Sequence, residues 1–349
     1  MQLLIAYNIY RMEFNGFTIW SEKIPEKGED ALPTILIDDT NQKFVFAVYD
    51  GMGGAGSAIY NYEEKLLSGA FIAANEAKKY FEHQVIEYIN GQLQIAEIIT
   101  SIENGLFHHL QSAANSVDKN PSRLKSNLIR RLPTTIAAIF CEKNIEKKQQ
   151  SLTCLWAGDS RCYILCPENG LNQLTKDDLK GDNDALRNLR SDAPMSNYCN
   201  ADIEFKINVA NGLQMEPFIL LTATDGCFGY LPTPFHFEHL LLKTLMDETV
   251  KSFEDWKDRV CDEIQKVSGD DYSMTLFCFG FASFKEVQIK YEVRNEMILN
   301  NYIKSYERVT KPIEQFENSL EKARLEKEDI LNQLWNEYKL KYQNNYAER

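Results

Sequence analysis

Four aspartates in this 349-residue chain stand beside a glycine and at the end of an apolar run. Asp50 closes the run 44–49 and leads into Gly51-Met52-Gly53-Gly54. Asp159 follows the run 152–157 and Gly158. Asp225 follows the run 218–223 and precedes Gly226. Asp270 follows Gly269 and opens the run 273–281. An acidic pair, Glu29-Asp30, precedes a fifth run at 32–37. A strand ending in Asp-Gly is, by itself, an ordinary turn. Several such carboxylates on one sheet edge would repel unless paired, hydrogen-bonded or held by a cation. Oxygen donors without histidine favour a hard ion, Mg²⁺ or Mn²⁺. Two such ions about 4 Å apart clamp a phosphate and activate a water.

The elements that must position these groups can be read from hydrophobic periodicity. Residues 44–49 are apolar without a break, which predicts a strand buried on both faces that delivers Asp50 to its edge. Residues 38–41 predict a hairpin turn centred near residue 40, which sets residue 30 opposite residue 50. In an antiparallel sheet the start of one strand adjoins the end of its neighbour. Asp50, Asp225 and Asp270 can then share an edge with Glu29 and Asp30. Helical spacing predicts long helices over 57–90 and 94–116, and further helical segments at 235–246 and 252–267. The loop 117–131 is locally basic, and 175–200 reads as a polar surface flap.

Composition limits the partners. The net charge is −13, against nucleic acid and anionic membrane, whose phosphates are bound by basic faces. Eight cysteines without a CxxC pair read as buried free thiols in a reducing, cytoplasmic setting. Residues 1–10 lack a basic n-region and a small-residue cleavage site, and no apolar run is long enough to span a membrane. The glycine-rich loop 51–56 has neither GxGxxG spacing nor the Lys-Ser/Thr of a P-loop.

The motifs in order are Glu29-Asp30-Ala31, Val48-Tyr49-Asp50-Gly51-Met52-Gly53-Gly54, Thr134-Thr135, Ala157-Gly158-Asp159-Ser160-Arg161, Leu174-Thr175-Lys176-Asp177, Thr224-Asp225-Gly226 and Asp270-Asp271-Tyr272-Ser273. This series, over about residues 16–283, resembles the metal-dependent (PPM, type-2C) serine/threonine protein phosphatases in their bacterial form. The resemblance implies an α+β fold, a four-layer αββα sandwich of two antiparallel sheets flanked by helices, with a C-terminal helical extension. It implies a phosphatase domain over 1–284 and an extension over 285–349. It also implies hydrolysis of protein phosphomonoesters by a water that two Mn²⁺ or Mg²⁺ ions activate.

Carried over by position, Asp50 would bridge both ions and the Gly51 carbonyl would bind one. Asp225 and Asp270 would hold the first ion, and Glu29 and Asp30 would act on the second, partly through water. Asp159 matches the position that helps hold a third. By the same resemblance Asp50, Asp225 and Asp270 would be the catalytic set. The substrate would be a phosphorylated protein, the target of a serine/threonine kinase.

The chain departs from the family in several places. Pro25 stands where an arginine grips substrate phosphate, with Lys23, Lys27 or the basic loop 123–131 as substitutes. Ala55 stands where the bacterial loop has histidine, Met52 where many eukaryotic members have histidine, and Gly229 where an aspartate is frequent. Asp271 stands where asparagine is usual. The lost arginine keeps open an alternative, a catalytically weak phosphatase-like module that binds phosphoprotein or scaffolds partners. A metal-dependent nuclease is disfavoured by the acidic charge.

After residue 284 glycine is absent and charged and amide residues dominate, which predicts two helices separated near Pro312. Ile313, Phe316, Leu320, Ala323, Ile330 and Leu334 form a stripe interrupted by Lys327. Such a helix packs back on the domain, or docks on a partner or on a second copy.

Overall fold

Alternation along one strand organises the layers. In β3 (Lys43–Tyr49) Phe46 and Val48 belong to one apolar core and Val45, Ala47 and Tyr49 to another. The strand is therefore covered on both faces, as its unbroken apolar run requires. A computed structural model describes residues 15–344, apart from 39–41, 120–129, 145, 148, 182–183 and 191–192. The turn at residue 40 and most of the basic loop lie outside the described residues.

The other strands are β1 (Gly16–Ser21), β2 (Ala31–Asp38), β4 (Ile59–Tyr62), β5 (Lys65–Ser68), β6 (Asp118–Lys119), β7 (Ile136–Asn144), β8 (Gln149–Ala157), β9 (Arg161–Cys166), β10 (Gly170–Gln173), β11 (Asn208–Met215), β12 (Phe218–Ala223) and β13 (Tyr272–Phe279). Two five-stranded antiparallel sheets result, ordered β1-β13-β12-β9-β10 and β11-β8-β7-β3-β2, with β5-β4-β6 as a small third sheet. The large sheets face each other across a core in which Phe46 stacks on Phe277 with ring centroids 4.4 Å apart.

The helices are α1 (Gly69–Ile89), α2 (Ile95–Ser116), α3 (Ala185–Asn188), α4 (Asp225–Phe228), α5 (Pro234–Leu245), α6 (Phe253–Gln265), α7 (Phe284–Ile298) and α8 (Lys304–Asn344). The pair α1 and α2 covers β2 and β3, and the pair α5 and α6 covers the other sheet. The expected αββα sandwich is the observed fold. The chain divides into two compact units, up to Asn295 and from Glu296 on.

Two local expectations are corrected. The helix expected over 57–90 starts only at Gly69, where the Ser68 hydroxyl caps it by accepting the Phe71 N–H at 3.1 Å. Residues 59–68 form the hairpin β4–β5 instead, turning through Glu63 and Glu64 at positive φ. The break expected near Pro312 is absent, and α8 runs through it. Proline removes one intrahelical bond, and good helix formers on both sides offset that loss. The interruption falls at 299–303, where the helix widens into a π-turn. The polar surface stretch 175–200 is anchored at its end, where Cys199 and Thr134 exchange backbone hydrogen bonds at 2.9 and 3.0 Å.

Candidate functional site

The carboxylates gather where the strand ends meet. Strands β3, β8 and β12 end, and β2, β9 and β13 begin, on one edge of the sandwich. The β2–β3 register pairs Ala31 with Tyr49, which places Asp30 across from Asp50 as the spacing predicts. A bulge between Ala31 and Thr34 sets this register. Asp225 is the first residue of α4, immediately beyond β12.

The backbone around Asp50 is fixed by a neighbouring segment. Its carbonyl accepts the Thr135 N–H at 2.8 Å and the Thr134 hydroxyl at 2.7 Å. Met52 N–H donates to the Pro133 carbonyl at 3.2 Å, which makes Gly51 and Thr134 a non-hydrogen-bonded pair. The ladder on that side therefore leaves the Gly51 carbonyl unused. Two glycines lie in close contact with their neighbours, and the one at 226 is required because it meets backbone. A Cβ on Gly53 would lie 2.0 Å from Glu29 Oε2, and one on Gly226 would lie 1.9 Å from the Asp271 carbonyl oxygen. The first of these places the Glu29 carboxylate against the glycine-rich loop.

Asp30 is buried, accepts a hydrogen bond from the Thr224 hydroxyl at 3.0 Å, and is fixed at its carbonyl by Trp20 Nε1–H at 3.0 Å. Asp159 sits in a turn that needs Gly158 at φ +110°, and its Oδ1 is buried without a hydrogen-bond partner among the described residues. Arg161, two residues on, is buried and paired in bidentate fashion with Asp177 at 2.8 and 2.6 Å.

Electrostatics ties these residues together. Burial raises the pKa of Asp50 well above the carboxylate range, and Asp225, Asp30, Asp159 and Asp270 raise it further. Asp30 is also raised well above that range, by burial first, against the Thr224 hydrogen bond. Burial and then the Asp225 charge push Asp159 up to about 8. Burial and then Asp270 push Asp225 up to about 6, opposed by a hydrogen bond with Asp50. Glu29 is raised by burial, against a hydrogen bond from Ser68.

Among the described residues no three carboxylate, histidine or cysteine side chains form a ready-made metal cage. The donor set still fits a hard divalent cation. It is all oxygen, mutually repulsive, and includes the orphaned Asp159 Oδ1. A cavity of about 630 Å³ lined by Phe44, Phe279 and the Lys143–Glu216 pair lies at the opposite end of the strands. The chemistry is thus placed by the carboxylates and not by that cavity.

Comparison with solved structures places this geometry on a known fold. The Mycobacterium tuberculosis serine/threonine phosphatase PstP/Ppp aligns with a TM-score of 0.53 at 15% identity, over 77% of this chain and 99% of that one. A bacterial serine phosphatase aligns at 0.52 and 16% identity, over 76% and 98%. The Staphylococcus aureus serine/threonine phosphatase Stp1 aligns at 0.51 and 16%, over 77% and 96%. The chain has the fold of bacterial serine/threonine phosphatases. No family model matches the sequence, and no curated protein matches it.

On this fold the departures from the family motifs acquire places. Pro25 lies in an exposed turn closed by Lys27 N–H donating to the Ile24 carbonyl at 3.0 Å. Lys23 Nζ donates to the Ser268 carbonyl at 2.6 Å, and Arg131 is paired with Asp202 and Asn115. Both cations are thus engaged in holding the structure. Arg130 runs beside the glycine-rich loop, its N–H donating to the Ala55 carbonyl at 2.9 Å.

Asp271 is the residue whose role the sequence did not reveal. It is buried and holds the loop 23–29 through two backbone N–H groups. The only signal was its charge where asparagine is usual.

Proposed function

We propose that this chain is a metal-dependent phosphoprotein phosphatase of the PPM type, acting on phosphoserine or phosphothreonine. The carrying observation is the gathering of Asp50, Asp30, Asp225, Asp159 and Asp270 at one sheet edge of a phosphatase fold. Asp50, Asp225 and Asp270 would hold one Mn²⁺ or Mg²⁺ ion. Asp50, the Gly51 carbonyl, Glu29 and Asp30 would serve a second, and Asp159 a third. When bound, such ions lower the pKa of water and neutralise charge on the phosphoryl group.

The chain's own residues do the positioning. Thr134 and Thr135 hold the Asp50 backbone, Trp20 and Thr224 hold Asp30, and Asp271 holds the loop that carries Glu29. Pro25 offers no guanidinium fork for the substrate phosphate, so its grip would fall to the carboxylate-held ions, and selectivity would come from protein–protein contact. The substrate is a phosphoprotein made by a serine/threonine kinase, and the free, mostly buried cysteines fit a cytoplasmic setting.

The test is hydrolysis of p-nitrophenyl phosphate and of a phosphothreonine peptide with and without Mn²⁺. Asp50→Asn and Asp225→Asn should each abolish Mn²⁺-dependent turnover while the protein stays folded. Activity and melting temperature both unchanged by EDTA would sink the proposal.

A further inference from the structure

Helix α8 presents an apolar seam to solvent. Val309, Ile313, Phe316, Leu320, Ile330 and Leu334 are each 53–77% exposed and recur at alternating steps of four and three. Ala323 and Lys327 fill the two remaining places in that repeat and are also exposed. In heptad terms Ile313, Leu320, Lys327 and Leu334 occupy a, and Val309, Phe316, Ala323 and Ile330 occupy d. A seam of this kind is stabilised by burial against another helix.

The seam complements itself in one direction only. In a parallel, in-register pair, Lys327 would face its own copy in the core, two ammonium groups in one layer. An antiparallel pair sets a against d. Centred between Leu320 and Ala323, it layers Leu320 on Ala323, Ile313 on Ile330 and Val309 on Leu334, each twice by symmetry. Lys327 then meets Phe316, where its stem packs and its ammonium faces an aromatic ring. The flanking e positions also match. In this register Glu317 lies across from Arg324 of the other copy, again twice. In a parallel pair those positions would face Pro312 and Ser319, which carry no charge. The paired span, 309–334, is about 39 Å long at the helical rise.

We infer that α8 is an antiparallel self-association helix whose partner is a second copy of this chain. The lysine that breaks the hydrophobic repeat selects the antiparallel arrangement, as polar residues at a positions do in coiled coils. The inference rests on α8 alone and is independent of the activity proposed above.

Sedimentation equilibrium of the full-length chain tests it. A reversible monomer–dimer equilibrium is expected, and Leu320→Glu should leave only monomer with the melting temperature of the first unit unchanged. Glu317→Arg and Arg324→Glu should each weaken the dimer roughly five- to ten-fold by placing like charges opposite. The double variant, with both charges exchanged, should return to within about two-fold of the original. A wild-type chain that stays monomeric at high concentration would overturn the inference and assign the seam to a different chain. A dimer in which the double variant is as weak as the singles would overturn the antiparallel register.

Discussion

Both carboxylate oxygens of Asp271 accept backbone N–H groups from the loop that presents Glu29. Glu29 N–H donates to Oδ2 at 2.6 Å and Lys23 N–H donates to Oδ1 at 2.7 Å. A carboxylate has acceptors on both sides, whereas an amide must turn an NH₂ toward one of these N–H groups. Asp271→Asn should therefore cost about 1–3 kcal/mol of stability. It should also loosen Glu29, raising the Mn²⁺ concentration for half-maximal activity several-fold while leaving the turnover at saturating Mn²⁺ near wild type. Thermal melts and Mn²⁺ titrations of activity check both parts. An unchanged Mn²⁺ requirement would show that the clasp does not position Glu29.

The legibility of this site in the sequence varied with the range of the interactions involved. The run 218–223 reads directly as β12, because a strand buried on both faces is apolar almost throughout, with Thr222 the single polar residue. The pairing of residue 30 with residue 50 is only half legible. A hairpin centred near residue 40 predicts it, but Asp38 pairs with Lys43 and Thr34 with Ala47, one residue off that register, and the bulge between Ala31 and Thr34 restores it. The hairpin at 59–68 was hidden, since Leu66, Leu67, Ala70 and Phe71 fall at helical spacing although two of them precede the Ser68 cap. The Asp271 clasp joins positions 242 and 248 residues apart. Nothing local marks such a contact beyond an extra negative charge.

Glu76 joins the outer helix pair to the small sheet. It accepts hydrogen bonds from His109 Nε2 on α2 and from the Tyr62 hydroxyl on β4, both at 2.6 Å. The His109 hydrogen bond is the main cause that brings its pKa from 4.5 down to about 2, against the opposing effect of burial. A carboxylate lowered on folding adds stability above its unfolded pKa and loses it as pH falls toward the folded value. Reduced for solvent screening, the contribution is on the order of 1–2 kcal/mol at neutral pH and should disappear between about pH 4.5 and pH 2. Glu76→Gln should lower stability near pH 6 and converge with wild type near pH 2. Urea titrations at several pH values measure this difference, and a gap that persists at pH 2 would contradict it.

The buried pair Arg161–Asp177 stands beside the carboxylate edge. Arg161 also lies over the Phe228 ring, 4.2 Å from its centroid, and Asp177 accepts further hydrogen bonds from Gln173 and Asn188 at 2.8 and 2.9 Å. Arg161→Met would strand a buried carboxylate and should cost about 3–5 kcal/mol. Arg161→Met combined with Asp177→Leu should recover much of that loss, because no uncompensated charge remains. Chemical denaturation of the two variants gives the comparison. A double variant no more stable than the single would show that the pair itself, and not the stranded charge, carries the stability.

The last prediction concerns where the phosphatase fold ends. A boundary at 284, which the change in composition suggests, would leave α7 outside. Yet Val287 and Tyr291 are fully buried, and the Tyr291 hydroxyl donates to the Leu165 carbonyl on β9 at 2.6 Å. Gln288 Nε2 donates to the carbonyls of Leu245 and Val250 at 2.9 and 3.2 Å, and Arg294 is paired with the buried Glu238. Removing Arg294 would leave Glu238 as an unpaired buried charge, at a cost of about 3–5 kcal/mol by itself. Loss of the Tyr291 ring would open a cavity and cost a similar amount again. A chain ending at Asn295 should therefore remain soluble and keep full Mn²⁺-dependent hydrolysis. A chain ending at Ser283 should lose more than half of a typical domain stability of about 5–15 kcal/mol, and accumulate as insoluble material. Expression of the two truncations side by side, with melting curves on whatever is soluble, decides the matter. A stable, active chain ending at Ser283 would show that α7 belongs to the extension after all.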